Sequence, residues 1–191
     1  MIDTTRISRR NLFVGGAAAA ILAGCANGVG ENASARLDAR VNTTKDFLLQ
    51  NYPNAAGLIQ GAKGVLYMPL MTEAGFGIGG AYGQGALRIN DATVDYYSAT
   101  QASVGFQIGA QQYAHVLIFQ TDQALAAFRS APGWVAEAGA YYALPARGLA
   151  VGADTITAQQ PVVAMIFGQS GLMAGASIAG TKYTRIIPST F

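Results

Sequence analysis

The chain has 191 residues, of which 51% are apolar and only 12% charged, the composition of a folded, core-rich chain with little intrinsic disorder. The formal charge of +2 comes from the first ten residues, which hold Arg6, Arg9, Arg10 and Asp3; the remainder carries nine basic and nine acidic residues. That balance leaves no excess charge to neutralise phosphates and argues against nucleic acid as a partner.

Residues 1–24 read as an export signal: a basic start, then an Ala/Gly-rich apolar run from Leu12 to Gly24. The run is too short and too weakly hydrophobic for a spanning helix. Ser8-Arg9-Arg10-Asn11-Leu12-Phe13 resembles the twin-arginine export motif, and Leu22-Ala23-Gly24-Cys25 resembles a bacterial lipobox. Together they predict cleavage before Cys25 and its acylation. Each buried methylene of an acyl chain contributes roughly 0.8 kcal/mol, and two or more chains give stable attachment. Ala26 follows, in place of the aspartate that commonly retains such lipoproteins at the inner membrane, so the expected location is periplasmic, anchored to the outer membrane. Cys25 is the only cysteine, which leaves no thiol for disulfides or thiolate chemistry. Residues 25–33 are expected to be the acylated cysteine and a flexible tether.

With no composition shift after residue 30, residues 34–191 read as one domain. Leu37, Val41, Thr44 and Leu48 recur at steps of three and four and predict an amphipathic helix ending before Pro53. Its other faces carry Arg36, Asp38, Arg40 and Lys45, so it is a candidate for lying on lipid as well as for packing on the domain. A second short helix is expected over residues 54–63, and a buried strand over Gly64–Pro69 stopped by the proline. Gly75-Phe-Gly-Ile-Gly-Gly-Ala-Tyr-Gly-Gln-Gly-Ala-Leu-Arg-Ile89 follows, and its pattern of Gly, large apolar, any, apolar, Gly returns at Gly105–Gly109 and Gly171–Gly175. Glycine at alternate positions strips one strand face, permitting sharp coiling or the close approach of another backbone. Asn90-Asp91 signals a hairpin turn into a strand at Thr93–Ser98. Ser103–Ala110 and His115–Gln120 read as two more strands. Thr121-Asp122 caps a helix to about Arg129 with Ala124, Leu125, Ala127 and Phe128 inward, and Trp134 is expected to plug the core edge. Ala138–Leu144, Gly148–Val151 and Val162–Phe167 are further strand candidates. The fold class is α+β: a strongly curved, barrel-like antiparallel sheet of glycine-rich strands with a few covering helices.

Few motifs carry chemistry. Gly75-x-Gly-x-x-Gly80 matches the dinucleotide fingerprint formally, but its continuation is too glycine-rich to open the helix that motif requires. His115, the only histidine, precedes an apolar run and reads as a core residue. No metal-ligand spacing, Gly-x-Ser-x-Gly elbow or triad is present, and Asp91 is explained by its turn. No catalytic residue, metal or cofactor is expected. The terminal Phe191 suits a membrane barrel, but Pro188 interrupts the alternation that a final strand would need.

Gly75–Leu87, Tyr96-Tyr-Ser98, Ser103-Val-Gly-Phe-Gln-Ile-Gly-Ala-Gln111 and Gly171-Leu-Met-Ala-Gly-Ala-Ser177 resemble the signature blocks of the SYLF, or Ysc84, domain, in order, from about residue 34 to Pro188. The resemblance implies a non-enzymatic domain that binds phospholipid. Phosphoinositides and actin, which eukaryotic relatives bind, are not expected in a bacterial periplasm. Ile178-Ala179-Gly180 lacks an acidic residue that bacterial members often have before this glycine, and Ala138–Ala146 departs from the usual block. The candidate headgroup ligands are Lys63, Arg88, Lys182 and Arg185, then Arg36, Arg40 and Lys45 on the first helix. Arg88 and Arg185 occupy matching places in the repeated segments, which suggests one end of the sheet. The alternative is a structural or protein-interaction module of the cell envelope, with lipid only as its anchor.

Overall fold

The computed structural model describes residues 31–136, 142–145, 160–171 and 177–188. The expected export signal, Cys25 and most of the tether lie outside them, as do the strand candidate at Gly148–Val151, most of Ala138–Leu144, and residues 172–176 of the third glycine repeat. Among the described residues the order is α1 (Glu31–Asn51), α2 (Ala55–Gly61), β1 (Gly64–Ile89), β2 (Ala92–Phe119), α3 (Asp122–Ser130), β3 (Trp134–Val135), β4 (Tyr142–Pro145), β5 (Val162–Gly171) and β6 (Lys182–Ile186). The fold is α+β, with a strongly curved sheet curled into a half-barrel.

One hairpin organises it. β1 has 26 residues and β2 has 28, and they pair antiparallel from Gly64↔Phe119 to Ile89↔Ala92. The turn is Asn90-Asp91, both with positive φ (49° and 66°), as a two-residue turn matched to strand twist requires. Two sequence expectations need correction here. Pro69 does not stop its strand: the register shifts between Met68 and Met71, so the chain passes the residue that cannot donate to the ladder by way of a bulge. Likewise Thr93–Ser98, Ser103–Ala110 and His115–Gln120 are not three strands but parts of β2, because the residues between them stay in the ladder, Thr100 opposite Tyr82 and Gln112 opposite Thr72.

That hairpin doubles back on itself. Its arch is made of two of the glycine repeats facing one another, with Gly75 opposite Gly109 and Phe76 opposite Ile108, and a further register shift between Phe76 and Ile78. β5 pairs with the limb of β2 at Gln111–Phe119 and β6 with the limb at Tyr96–Thr100. β3 adds to β6, and β4 runs parallel to β5. The two limbs lie close enough that a Cβ on Gly83 would sit 2.5 Å from the Leu70 carbonyl oxygen, and one on Gly85 would strike that of Tyr67. This is the close backbone approach that alternating glycine allows.

The curl creates two cores. The concave face gathers Leu66, Met68, Leu87, Tyr97, Leu117, Phe119 and Tyr183, closed by Leu125 and Phe128 of α3. Trp134 packs at its edge, 5.5 Å from the Phe128 ring. Thr121 accepts from the Ala124 amide at 3.2 Å, the expected cap; Ala127, expected inward, is exposed. The convex face presents Val65, Tyr67, Val116, Ile118, Met165 and Phe167 to Val41 and Leu48 of α1 and to Ala55 and Leu58 of α2. The predicted stripe of α1, Leu37, Val41, Thr44 and Leu48, is buried throughout, and the helix starts three residues earlier than its periodicity indicates.

His115 is wholly buried on the concave face, its Nε2 2.8 Å from the Tyr183 hydroxyl and its Nδ1 without a partner among the described residues. Burial pushes its pKa down to about 3, so it is a neutral core histidine. Nearer the arch, Glu73 is buried and accepts from Gln111 Nε2 at 2.7 Å. Tyr113 is pushed up to about 12 by burial and then by the Glu73 charge.

Candidate lipid-binding groove

The outer face of the hairpin and the first half of α1 enclose a groove. Even-numbered residues of β1 from Thr72 to Arg88 share the convex face, because Met71, Glu73, Ala81 and Leu87 are buried on the other. Thr72, Tyr82 and Gln84 therefore face α1, which supplies Ala33, Arg36, Leu37 and Arg40, around a cavity of about 190 Å³. A second cavity of about 300 Å³ adjoins it and shares Pro69 and Leu70; its other walls include Phe47, Ala114 and Phe167. The proline bulge thus forms the floor common to both. One compartment holds two cations, and the other sets the stacked rings of Phe47 and Phe167, 6.1 Å apart, beside the polar groups of Thr43, Thr44, Gln112 and Ser170. Together they fall within the range of ordinary small-ligand sites, roughly 300–1,000 Å³.

Arg36 and Arg40 are one helical turn apart, so their guanidinium groups share a face. Like charges at that spacing destabilise a helix by about 0.2–0.5 kcal/mol, and among the described residues neither has an acidic partner at ion-pair distance. Asp38 is committed elsewhere: it accepts from Thr93 Oγ1 at 2.9 Å and from the Tyr96 hydroxyl at 2.8 Å, docking α1 on β2. An anion between the two arginines would relieve their repulsion and gain two charge-assisted contacts.

The other candidate cations fall into separate places. Arg88 and Lys45 come together at the hairpin turn, where Lys45 donates to Asp91 at 2.6 Å and Arg88 lies 3.5 Å from the same carboxylate. The Lys45 hydrogen bond holds the Asp91 carboxyl below its usual range. Arg88 is buried and its Nε has no partner among the described residues; it lines a cavity of about 180 Å³ beside Tyr67, whose hydroxyl burial pushes up to about 12. Arg185 is on the concave side, 3.4 Å from Asp95 and donating to the Arg129 carbonyl at 3.0 Å. Arg88 and Arg185 are therefore both towards the turn but on opposite faces of the sheet. Lys63 is exposed, 3.9 Å from Asp122, and Lys182 is exposed beside Gly133. Sequence reasoning named Arg36 and Arg40 but missed Leu70, Tyr82 and Gln84, which reach the groove through the doubling of the hairpin.

Gly75–Gly80 lies within β1 and opens no helix. Among the described residues no group of three or more His, Cys, Asp or Glu is placed to hold a metal ion, and no helix is long and apolar enough to cross a membrane. Residues 100–186 match the model of the Ysc84 family, described as Las17-binding protein actin regulator. No curated protein matches the chain.

Proposed function

We propose, from the membership of residues 100–186 in the Ysc84 (SYLF) family, that this chain is a non-enzymatic module that binds phospholipid in the groove between α1 and β1. The headgroup phosphate sits between Arg36 and Arg40, and the first part of an acyl chain lies over Leu70 and against the stacked rings of Phe47 and Phe167. The observation that carries this reading is a pair of guanidinium groups, without an acidic partner among the described residues, in a compartment adjoining the one that Leu70, Phe47 and Phe167 line. Las17 binding and actin regulation belong to the description of the family, and nothing in the groove favours an acidic protein segment over a phosphate ester with a hydrocarbon tail.

The groove lies at the amino-terminal end of α1, and Cys25 precedes Glu31 by only six residues. An acyl anchor on Cys25, delivered by the twin-arginine signal to the outer membrane's periplasmic face, would keep that end of the helix at the lipid surface. Tethering raises effective concentration, so the domain's own affinity need not be high.

The test uses residues 26–191, which contain every described element and no cysteine. They are expected to co-sediment with vesicles containing phosphatidylglycerol and weakly with phosphatidylcholine alone. A cation near an anionic surface contributes about 1 kcal/mol, so Arg36→Ala with Arg40→Ala should weaken binding roughly thirtyfold. Equal loss from Lys63→Ala with Lys182→Ala would point to a diffuse basic surface, and no binding to either vesicle would refute the lipid reading.

A further inference from the structure

We propose that the glycine arch of the β1–β2 hairpin is a membrane wedge: Phe76 and Ile78 enter the apolar layer of an anionic bilayer while Arg36 and Arg40 hold its phosphates. This rests on the phospholipid reading above and adds how the domain meets the bilayer. Strand residues of this size are ordinarily buried, yet Phe76 is 81% and Ile78 74% exposed. They stand on the outside of the arch, because on its inside Gly75 and Gly79 approach so closely that a Cβ on Gly75 would lie 2.6 Å from the Gly79 Cα. By strand alternation they share the face of Thr72 and Tyr82, so the exposed apolar pair continues from the wall of the arginine groove.

Charge is distributed as a bilayer requires. No Asp, Glu, Lys or Arg occurs between Glu73 and Arg88, nor between Asp95 and Asp122. Both strands of the arch fall in these stretches. Glu73, at the edge, is buried and hydrogen-bonded to Gln111, so Phe76 and Ile78 meet the lipid with no ionised group beside them. The register shift between Phe76 and Ile78 leaves Gly77 outside the ladder. Its backbone groups need water or headgroups, which sets the insertion at the headgroup–acyl boundary, about 5–10 Å deep. Two side chains on a glycine scaffold fall far short of the roughly 800 Å² per partner that a stable protein interface buries, whereas lipid needs no complementary surface.

The test reads the arch directly. In the cysteine-free residues 26–191, Phe76→Cys carries an environment-sensitive nitrobenzoxadiazole label, and Gln123→Cys, exposed on α3 at the opposite end of the sheet, carries the same label as control. With phosphatidylglycerol vesicles the label at 76 should shift to the blue and be quenched by spin-labelled lipid, while that at 123 stays unchanged. Phe76→Ser with Ile78→Ser should lower vesicle affinity at least tenfold and leave binding of soluble dihexanoyl phosphatidylglycerol intact. Arg36→Ala with Arg40→Ala should weaken both. Protein that sediments with vesicles while the label at 76 neither shifts nor is quenched overturns the wedge alone. Failure to bind either lipid form overturns the phospholipid reading with it. A blue shift that appears without vesicles, on self-association, overturns it in favour of a protein contact.

Discussion

Gly83→Ala tests whether the doubled hairpin is what builds the groove. Gly83 lies on the inner side of β1, where the two limbs of the strand meet. A methyl group there would lie 2.5 Å from the Leu70 carbonyl oxygen and 2.5 Å from Met71 Sδ. The sulfur can swing aside, but the carbonyl belongs to the Pro69 bulge and is fixed by pairing on both sides of the register shift. Relief therefore requires the limbs to separate, which loosens the contacts of Met68 and Met71 in the concave core. Overpacking of this kind costs about 1–3 kcal/mol, a fall in midpoint of roughly 2–4 °C for each kcal/mol in a chain of this size. Because Leu70 and Gly83 also line the arginine cavity, phospholipid binding should weaken in the same variant. Gly57→Ala in α2 is the control: nothing lies within 4 Å of its Cβ, and the change should stabilise by about 0.5–1 kcal/mol through helix propensity. Denaturant and thermal unfolding followed by circular dichroism would measure both. If Gly83→Ala proves as harmless as Gly57→Ala, the limbs do not press on one another and the origin given for the groove is wrong.

Other consequences follow from single residues. His115 has a folded pKa of about 3 against about 6.5 when unfolded. The unfolded chain therefore binds more protons between these values, and the contribution of neutral His115 is complete above pH 6.5 and lost as pH falls towards 3. Unfolding free energy should decline there by up to about 1.4 kcal/mol per pH unit, and His115→Gln should flatten that slope in denaturant titrations; an unchanged slope would assign it to carboxylates. Asp38→Ala removes the acceptor for Thr93 and Tyr96 and should cost about 1–3 kcal/mol. Asp38→Asn keeps one acceptor oxygen and should cost less by the same unfolding assay. In a bacterial host that processes lipoproteins, the full chain should incorporate labelled palmitate and Cys25→Ser should not; incorporation by the variant would refute the anchor.

Some of this molecule is legible locally. The stripe of α1 is visible because burial there follows a period of about 3.6 residues, and Asn90-Asp91 and Thr121-Asp122 are visible because each satisfies a backbone need within four residues. Continuity of strands is less local. Proline ordinarily punctuates, so Pro69 looks like a strand end, and residues 99–102 and 111–114 look like gaps between strands. Here pairing partners on both sides of each one hold the chain in the ladder, and the irregularity becomes a bulge or a bend. Alternating glycine correctly suggests close backbone contact, but not that the contact is between two halves of one strand.

The groove is the least legible element, for a related reason. Arg36 and Arg40 are ordinary helix-surface cations until β1 returns beside them with Leu70 from one limb and Tyr82 from the other. Neither limb would line a cavity alone. Arg88 and Arg185, which the internal repeat sets in parallel, end on opposite faces because Arg88 alternates with the buried Leu87 while Arg185 sits opposite Tyr97 on the concave side. The same curvature that buries the odd-numbered residues turns Phe76 and Ile78 outward at the arch, where no second layer covers them among the described residues. Two arginines without acidic partners among the described residues, and two apolar side chains without a core, would each oppose folding slightly in water. Set on the same side of the molecule, the arginines on α1 and the apolar pair on the hairpin, all four deficits would be met by one surface, an anionic bilayer with phosphates above its hydrocarbon.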